Sequence, residues 1–188
     1  MNTGEMYNGM RVLSSYHRKG GVGKTFLAST IAYLLATGGP NGTGKKRRVL
    51  VLDYDSQQDS SKAFLKMDAI PGDDEYAAPL HPEFKEIDDQ EWSGRNTSTD
   101  ILFDSPVYEY PTAFENIKVL PSEGNVDRVL ALTPQADRLV SEISSHMRDW
   151  FSIPELAEDY DIVIVDNPPT SGAPGFKNNC TDLAAGFG

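Results

Sequence analysis

The sequence predicts an α/β fold, a mostly parallel sheet flanked by helices and linked by right-handed crossovers. Three observations predict it. Four short apolar stretches rich in β-branched residues alternate with helical patterns along the chain. The last of them, Ile162-Val163-Ile164-Val165, is apolar without alternation, as expected of a strand covered on both faces. A glycine-rich turn joins the first stretch directly to the first helical pattern.

The strands are expected at Met10–Tyr16, Val49–Leu52, Ile117–Leu120 and Asp161–Asp166. One helix is expected at Lys24–Thr37, with Phe26, Leu27, Ile31, Leu34 and Leu35 as its apolar residues. A second is expected at Ala136–Phe151, with Leu139, Val140, Ile143, Met147 and Trp150 on one stripe. Between Asp68 and Glu109 twelve acidic residues stand against two basic ones, Lys85 and Arg95. Pro71, Pro79, Pro82, Pro106 and Pro111 interrupt that region and no period of 2 or 3.6 persists. It reads as an acidic, Pro-rich excursion of loops and short turns at about 68–111, a solvated surface rather than a partner-binding tail.

The 188 residues carry a net charge of −11, with 24% charged and 39% hydrophobic residues. That length suits one domain, residues 1–188, and leaves no room for two catalytic domains. No run of about 18 apolar residues occurs, and the polar Met1–Met10 lacks the apolar core of a signal peptide. A membrane-spanning or secreted protein is therefore disfavoured and a cytoplasmic one expected. The single cysteine, Cys180, excludes an intrachain disulfide and a Cys-rich zinc or iron–sulfur site.

The chemistry concentrates after the first strand, in His17-Arg18-Lys19-Gly20-Gly21-Val22-Gly23-Lys24-Thr25. Glycines let successive N–H groups curl toward phosphate oxygens, and the following helix adds about half a positive charge at its N-terminus. Lys24 can reach the outer phosphates and the Thr25 hydroxyl can ligate Mg²⁺. The competing reading is a glycine turn that happens to precede Lys-Thr; the strand-to-helix context favours phosphate binding. In the ordinary Walker A pattern a glycine stands six residues before the final lysine, where this chain has Arg18. Lys19-Gly20-Gly21-Val22-Gly23-Lys24-Thr25 instead resembles the deviant Walker A loop of the ParA/MinD superfamily of ATPases. The resemblance implies ATP held by Lys19, Gly20, Gly21, Val22, Gly23, Lys24, Thr25 and Phe26. It also implies that Lys19 reaches across a homodimer to the partner's nucleotide, supplying charge where charge moves in phosphoryl transfer.

Asp53-Tyr54-Asp55-Ser56-Gln57-Gln58, after the second strand, resembles the family's D-x-D-P-Q segment, with Ser56 in place of proline. The resemblance implies that Asp53 helps organise the Mg²⁺ side of the site and that Asp55 orients the attacking water. The alternative is that these aspartates merely cap the next helix. Gln57 matches the partition-type members rather than the septum-site branch. Asp161–Asp166 followed by Asn167-Pro168-Pro169 resembles the Walker B strand and its D-x-P-P exit, which implies Asp166 as a Mg²⁺ residue beside Thr25 and Asp53. Asn116–Ser122 is similar to the family strand that ends in a Pro-Ser turn. The resemblance covers about residues 10 to 172 and implies a P-loop NTPase-like sheet.

Three features depart from the family pattern. Phe26 stands where a second Thr or Ser is usual, and a benzyl group forfeits one hydrogen bond, on the order of 1 kcal/mol. The loop 38–48 is long and ends in Lys45-Lys46-Arg47-Arg48; a solvated loop is favoured over a DNA contact. Only 22 residues follow Asp166, so the sheet is expected to be incomplete on its C-terminal side and the chain to be truncated. The function implied is a Mg·ATP-dependent, dimerising ATPase in plasmid or chromosome partitioning. Its implied partners are a ParB-like DNA-binding activator and nonspecific DNA, without a membrane, in the cytoplasm or on the nucleoid. The alternative is a truncated, non-hydrolysing paralogue that modulates a full-length ATPase.

Overall fold

The four apolar runs form four adjacent parallel strands, of which the two central ones, Val49–Asp53 and Ile162–Asp166, are buried on both faces. The computed structural model describes residues 5–15, 23–72, 76–87, 92–124 and 145–168. In chain order the elements are β1 (Glu5–Tyr7), β2 (Met10–Ser15), α1 (Lys24–Thr37), β3 (Val49–Asp53) and α2 (Asp59–Phe64). There follow β4 (Asp68–Ala69), β5 (Tyr76–Ala77), a 3-10 helix (Ser98–Phe103), β6 (Tyr110–Pro111) and β7 (Ile117–Leu120). Helical residues 145–151 (α3), α4 (Pro154–Asp159) and β8 (Ile162–Asp166) complete the described chain. Of the second expected helix, residues 136–144 lie outside it.

The main sheet has the order β1-β2-β8-β3-β7-β6, and β4 pairs with β5 separately. β2, β8, β3 and β7 run parallel, whereas β1 and β6 are short antiparallel strands at the two edges. β1 is absent from the expected elements, although its turn is legible. Asn8-Gly9 links Tyr7 to its partner Met10 with both residues at positive φ, the geometry of a two-residue hairpin.

Alternate residues of β3 and β8 enter different clusters. Leu50, Leu52, Val163 and Val165 pack with Met147 and Phe151 of α3, Leu156 and Tyr160. Val49, Val51, Ile162 and Ile164 pack with Ala28, Ala32 and Ala36 of α1. The buried face of α1 is therefore its alanine row at i, i+4 and i+8, not the Phe26-Leu27 side, which is exposed. Small side chains let the helix approach the sheet closely, so the bulkier residues of the same helix are left to the flanks. Gly38 ends α1 at φ 85, and a Cβ there would meet the Gly44 carbonyl oxygen at 2.5 Å.

The described part of the acidic excursion holds the short β4–β5 pair, the 3-10 helix and β6 between loops, and it wraps an aromatic cluster of its own. The rings of His81, Phe84 and Tyr108 lie 5.4, 5.6 and 4.3 Å from that of Trp92, and His81 also contacts Tyr110 at 4.9 Å. The Tyr110 hydroxyl donates to the Pro79 carbonyl and accepts the Asn96 N–H. Glu83, Glu86 and Asp104 fit the solvated reading, being exposed. Glu109 does not. Burial pushes its carboxyl above the usual range, despite the nearby Lys118 charge and Tyr160 hydroxyl. A raised folded-state pKa favours folding below the unfolded value and loses that contribution as pH rises through the folded value. Glu109→Gln is therefore expected to match wild type near pH ~4 and to exceed it in melting temperature near pH ~8, by differential scanning calorimetry. An equal offset at both pH values would show that Glu109 is not the titrating group.

Candidate functional site

The carboxyl ends of β2, β8 and β3 place Ser15, Asp166 and Asp53 in one row. Ser15 is the register partner of Asp166, and Asp166 that of Asp53. The carboxyl edge of a parallel sheet is where such folds bind ligands, because the loops there open a crevice.

Beyond β2 the chain enters the glycine loop. Lys19, Gly20, Gly21 and Val22 lie outside the described residues, so their expected roles are untouched by the geometry. Gly23 is the N-cap of α1 at φ 78; no side chain caps the helix there, and its first turn carries no acidic residue. Among the described residues no side chain caps the N–H groups of that turn, and the helix macrodipole favours an anion there. Lys24 and Thr25 are partly exposed at this end, and Phe26 is 77% exposed.

Asp53 and Asp166 are fully buried. Asp53 Oδ2 accepts the Ser61 hydroxyl at 2.7 Å and the Ser61 N–H at 2.8 Å, and Oδ1 accepts the Asp55 N–H at 3.0 Å. Asp166 accepts the Ser15 hydroxyl on Oδ1 and the Ser60 hydroxyl on Oδ2, both at 2.8 Å. The Ser98 hydroxyl donates to the Asp53 carbonyl. Burial pushes the Asp53 carboxyl up to about 7 even though the Ser61 and Asp55 donors favour its charged form, and neighbouring Asp166 adds to the rise. Neither ion pair found among the described residues involves these carboxylates. The helix-capping alternative is what the hydrogen bonds show for Asp53, which accepts the Ser61 N–H in the first turn of α2.

Asp55 is buried just beyond β3, and its Oδ1 accepts the Gln57 N–H at 3.0 Å, closing a local turn. Gln57 is exposed, whereas Gln58 is buried at φ 57. Asn167 donates from Nδ2 to the Ser14 hydroxyl at 2.7 Å and the Ser15 carbonyl at 3.0 Å, which leaves its buried Oδ1 as an acceptor with no partner among the described residues. The basic run divides. Arg48 pairs with Asp161 and donates to the Glu158 carbonyl at the opposite edge of the sheet, while Lys45 and Lys46 are exposed.

Two buried carboxylates without a cationic partner among the described residues, Asp53 and Asp166, are ligands of the kind a hydrated divalent cation takes. The described residues hold no cluster of three or more His, Cys, Asp or Glu that could bind a metal alone. Mg²⁺ keeps several waters and binds through one or two carboxylates plus phosphate oxygens. Thr25, Asp53 and Asp166 are the residues available to hold it.

A parallel sheet with a glycine loop at the end of one strand and aspartates at the ends of the next two defines a P-loop-type α/β protein. The AAA_31 family, an AAA domain, matches residues 10–176, and the chain belongs to it. A chromosome partitioning protein ParA from Myxococcus xanthus is 28% identical over 165 residues, covering 86% of this chain and 46% of the relative. The solved ATP complex of a Cyanothece McdA variant is similar at TM-score 0.56 and 20% identity, covering 86% of this chain and 49% of that one. So is the pNOB8 ParA bound to nonspecific DNA, at TM-score 0.52 and 20% identity, covering 89% and 49%. These similarities accord with the resemblance to the ParA/MinD superfamily, and the chain spans about half the length of these relatives. No described helix is long and apolar enough to cross a membrane.

Sequence reasoning passed over Ser15, Gln58, Ser60, Ser61, Ser98, Ser122 and Asn167. Each has a small or polar side chain with no periodicity, and only proximity to the DxD and Walker B segments marks Gln58, Ser60, Ser61 and Asn167.

Proposed function

We propose that the protein is a Mg·ATP-dependent ATPase that dimerises on ATP binding and acts in plasmid or chromosome partitioning. The row Ser15, Asp166, Asp53 at the carboxyl edge of the sheet is the observation that carries this reading, and the uncapped N-terminus of α1 supports it. In it the glycine loop and Lys24 hold the phosphates. Thr25, Asp53 and Asp166 hold Mg²⁺, which when bound neutralises phosphate charge. Asp55 orients the attacking water and accepts its proton. The ATP named with McdA and the nonspecific DNA named with pNOB8 ParA support nucleotide and DNA as ligands of this chain too. A ParB-like activator and a cytoplasmic or nucleoid location complete the reading, with no membrane step. Partition-type relatives favour it over a non-hydrolysing modulator.

Lys19 supplies the test. In this reading Lys19, one residue ahead of Gly20-Gly21, donates to the nucleotide of a second subunit, as the resemblance to the deviant Walker A loop implies, so ATP promotes association and ADP does not. By sedimentation with a slowly hydrolysed ATP analogue, wild type is expected to dimerise. Lys19→Ala is expected to remain monomeric while its nucleotide affinity changes little. Equal dimerisation of the variant, or none by wild type, would overturn the dimerising reading.

A further inference from the structure

We propose that the first turn of α2, through Gln58, Ser60 and Ser61, is a positioning bracket that sets both buried carboxylates and ties them to β5 and to the exit of β7. The proposal rests on the Mg·ATP reading for what the carboxylates do, and on hydrogen bonds alone for how they are held.

Gln58 adopts a left-handed conformation, φ 57, that costs a non-glycine residue roughly 1 kcal/mol or more. Its side chain is 1% exposed and saturated with backbone partners. Nε2 donates to the Tyr76 carbonyl and to the Ser122 carbonyl, both at 2.8 Å, and Oε1 accepts the Tyr76 N–H at 3.3 Å. Both amide protons are thereby used, so neither the strain nor the burial is left without a compensating contact. Two and three residues on, the same turn presents the Ser60 hydroxyl to Asp166 and the Ser61 hydroxyl to Asp53. The Ser61 oxygen also accepts the Ser122 N–H at 2.9 Å.

Ser122 is thus gripped from both sides, its carbonyl by Gln58 and its N–H by Ser61. Asp53 and Asp166 belong to β3 and β8, Ser122 follows β7, and Tyr76 opens the aromatic excursion. One turn therefore links two strands of the site to a third strand's exit and to the excursion. A change in where β5 sits pulls on Gln58 and, through Ser60 and Ser61, on the rotamers of both carboxylates. The three residues are positioning residues, since none needs to touch nucleotide.

The test compares Gln58→Gly, which tolerates positive φ but deletes the amide, and Ser60→Ala with wild type. Nucleotide binding is titrated with a fluorescent ATP analogue, in EDTA and across a Mg²⁺ series. Both variants are expected to bind in EDTA as wild type does and to need about tenfold more Mg²⁺ for the same response, the scale on which partners of metal-holding residues act. A purely stabilising network would instead shift melting temperature with the Mg²⁺ response unchanged, and that result overturns the proposal. Amide hydrogen exchange provides a readout independent of nucleotide: Gln58→Gly is expected to speed exchange at Tyr76, Ser61 and Ser122 together. Unchanged exchange at Ser61 and Ser122 likewise overturns the bracket. A wild-type protein that ignores the analogue under both conditions overturns the Mg·ATP reading instead, and the exchange result then decides the bracket alone.

Discussion

Replacing Lys24 by alanine is expected to abolish nucleotide binding and leave the fold in place. Lys24 opens α1 beside the αL glycine Gly23, is partly exposed and belongs to neither hydrophobic cluster. Its removal therefore opens no cavity and breaks no described ion pair, and the melting temperature should stay within the range of ordinary surface substitutions. The ammonium's worth to the ligand is another matter. Two charge-assisted hydrogen bonds to phosphate at roughly 1.5–3 kcal/mol each amount to about 3 kcal/mol or more, a loss of at least about 10²-fold in affinity. Isothermal calorimetry with ATP reads this directly. Wild-type affinity in Lys24→Ala would remove the phosphate loop from the account, and with it the nucleotide.

Asp55 has the second large effect, of a different kind. Asp55→Asn is expected to bind ATP as wild type does and to lose about 10²-fold or more in turnover, the scale of general-base contributions. The asparagine is chosen over alanine because Asp55 Oδ1 also accepts the Gln57 N–H. An amide oxygen preserves that turn while removing the charge that orients and deprotonates water, so a fall in turnover reports chemistry. Asp55→Ala removes both, and any further loss in it measures the turn. Steady-state phosphate release beside nucleotide affinity separates the two variants. Normal turnover in Asp55→Asn would refute the role assigned to that carboxylate.

The departure at Phe26 reads differently once its surroundings are known. The phenyl ring is largely in solvent and belongs to neither hydrophobic cluster. Of the apolar residues expected on α1, Ile31 and Leu35 pack against the core, whereas Phe26 and Leu27 are exposed. Leucine and phenylalanine outrank alanine on any hydropathy scale, yet the sheet accepts the alanine row because a helix packs closest where side chains are smallest. A pattern read from one helix cannot tell which of two apolar faces meets the sheet.

What the sequence by itself determined is local and periodic. The parallel strands from Met10, Val49, Ile117 and Ile162, the helix from Lys24 to Thr37 and the glycine turn between β2 and α1 follow from contiguous residues whose pattern repeats within a few positions. The candidate residues Asp53, Asp55 and Asp166 were legible because each stands at or just past the end of an apolar strand. Only the tertiary structure decided that β8 lies between β2 and β3, which brings Asp166 beside both Ser15 and Asp53. Strand order is set by the packing of crossovers and by partners more than a hundred residues apart, information that no window of the chain contains. The same holds for the serine hydroxyls around the carboxylates and for the rings gathered on Trp92. A lone serine or aromatic has no period, and its role exists only once folding has delivered the donor, acceptor or ring that it meets.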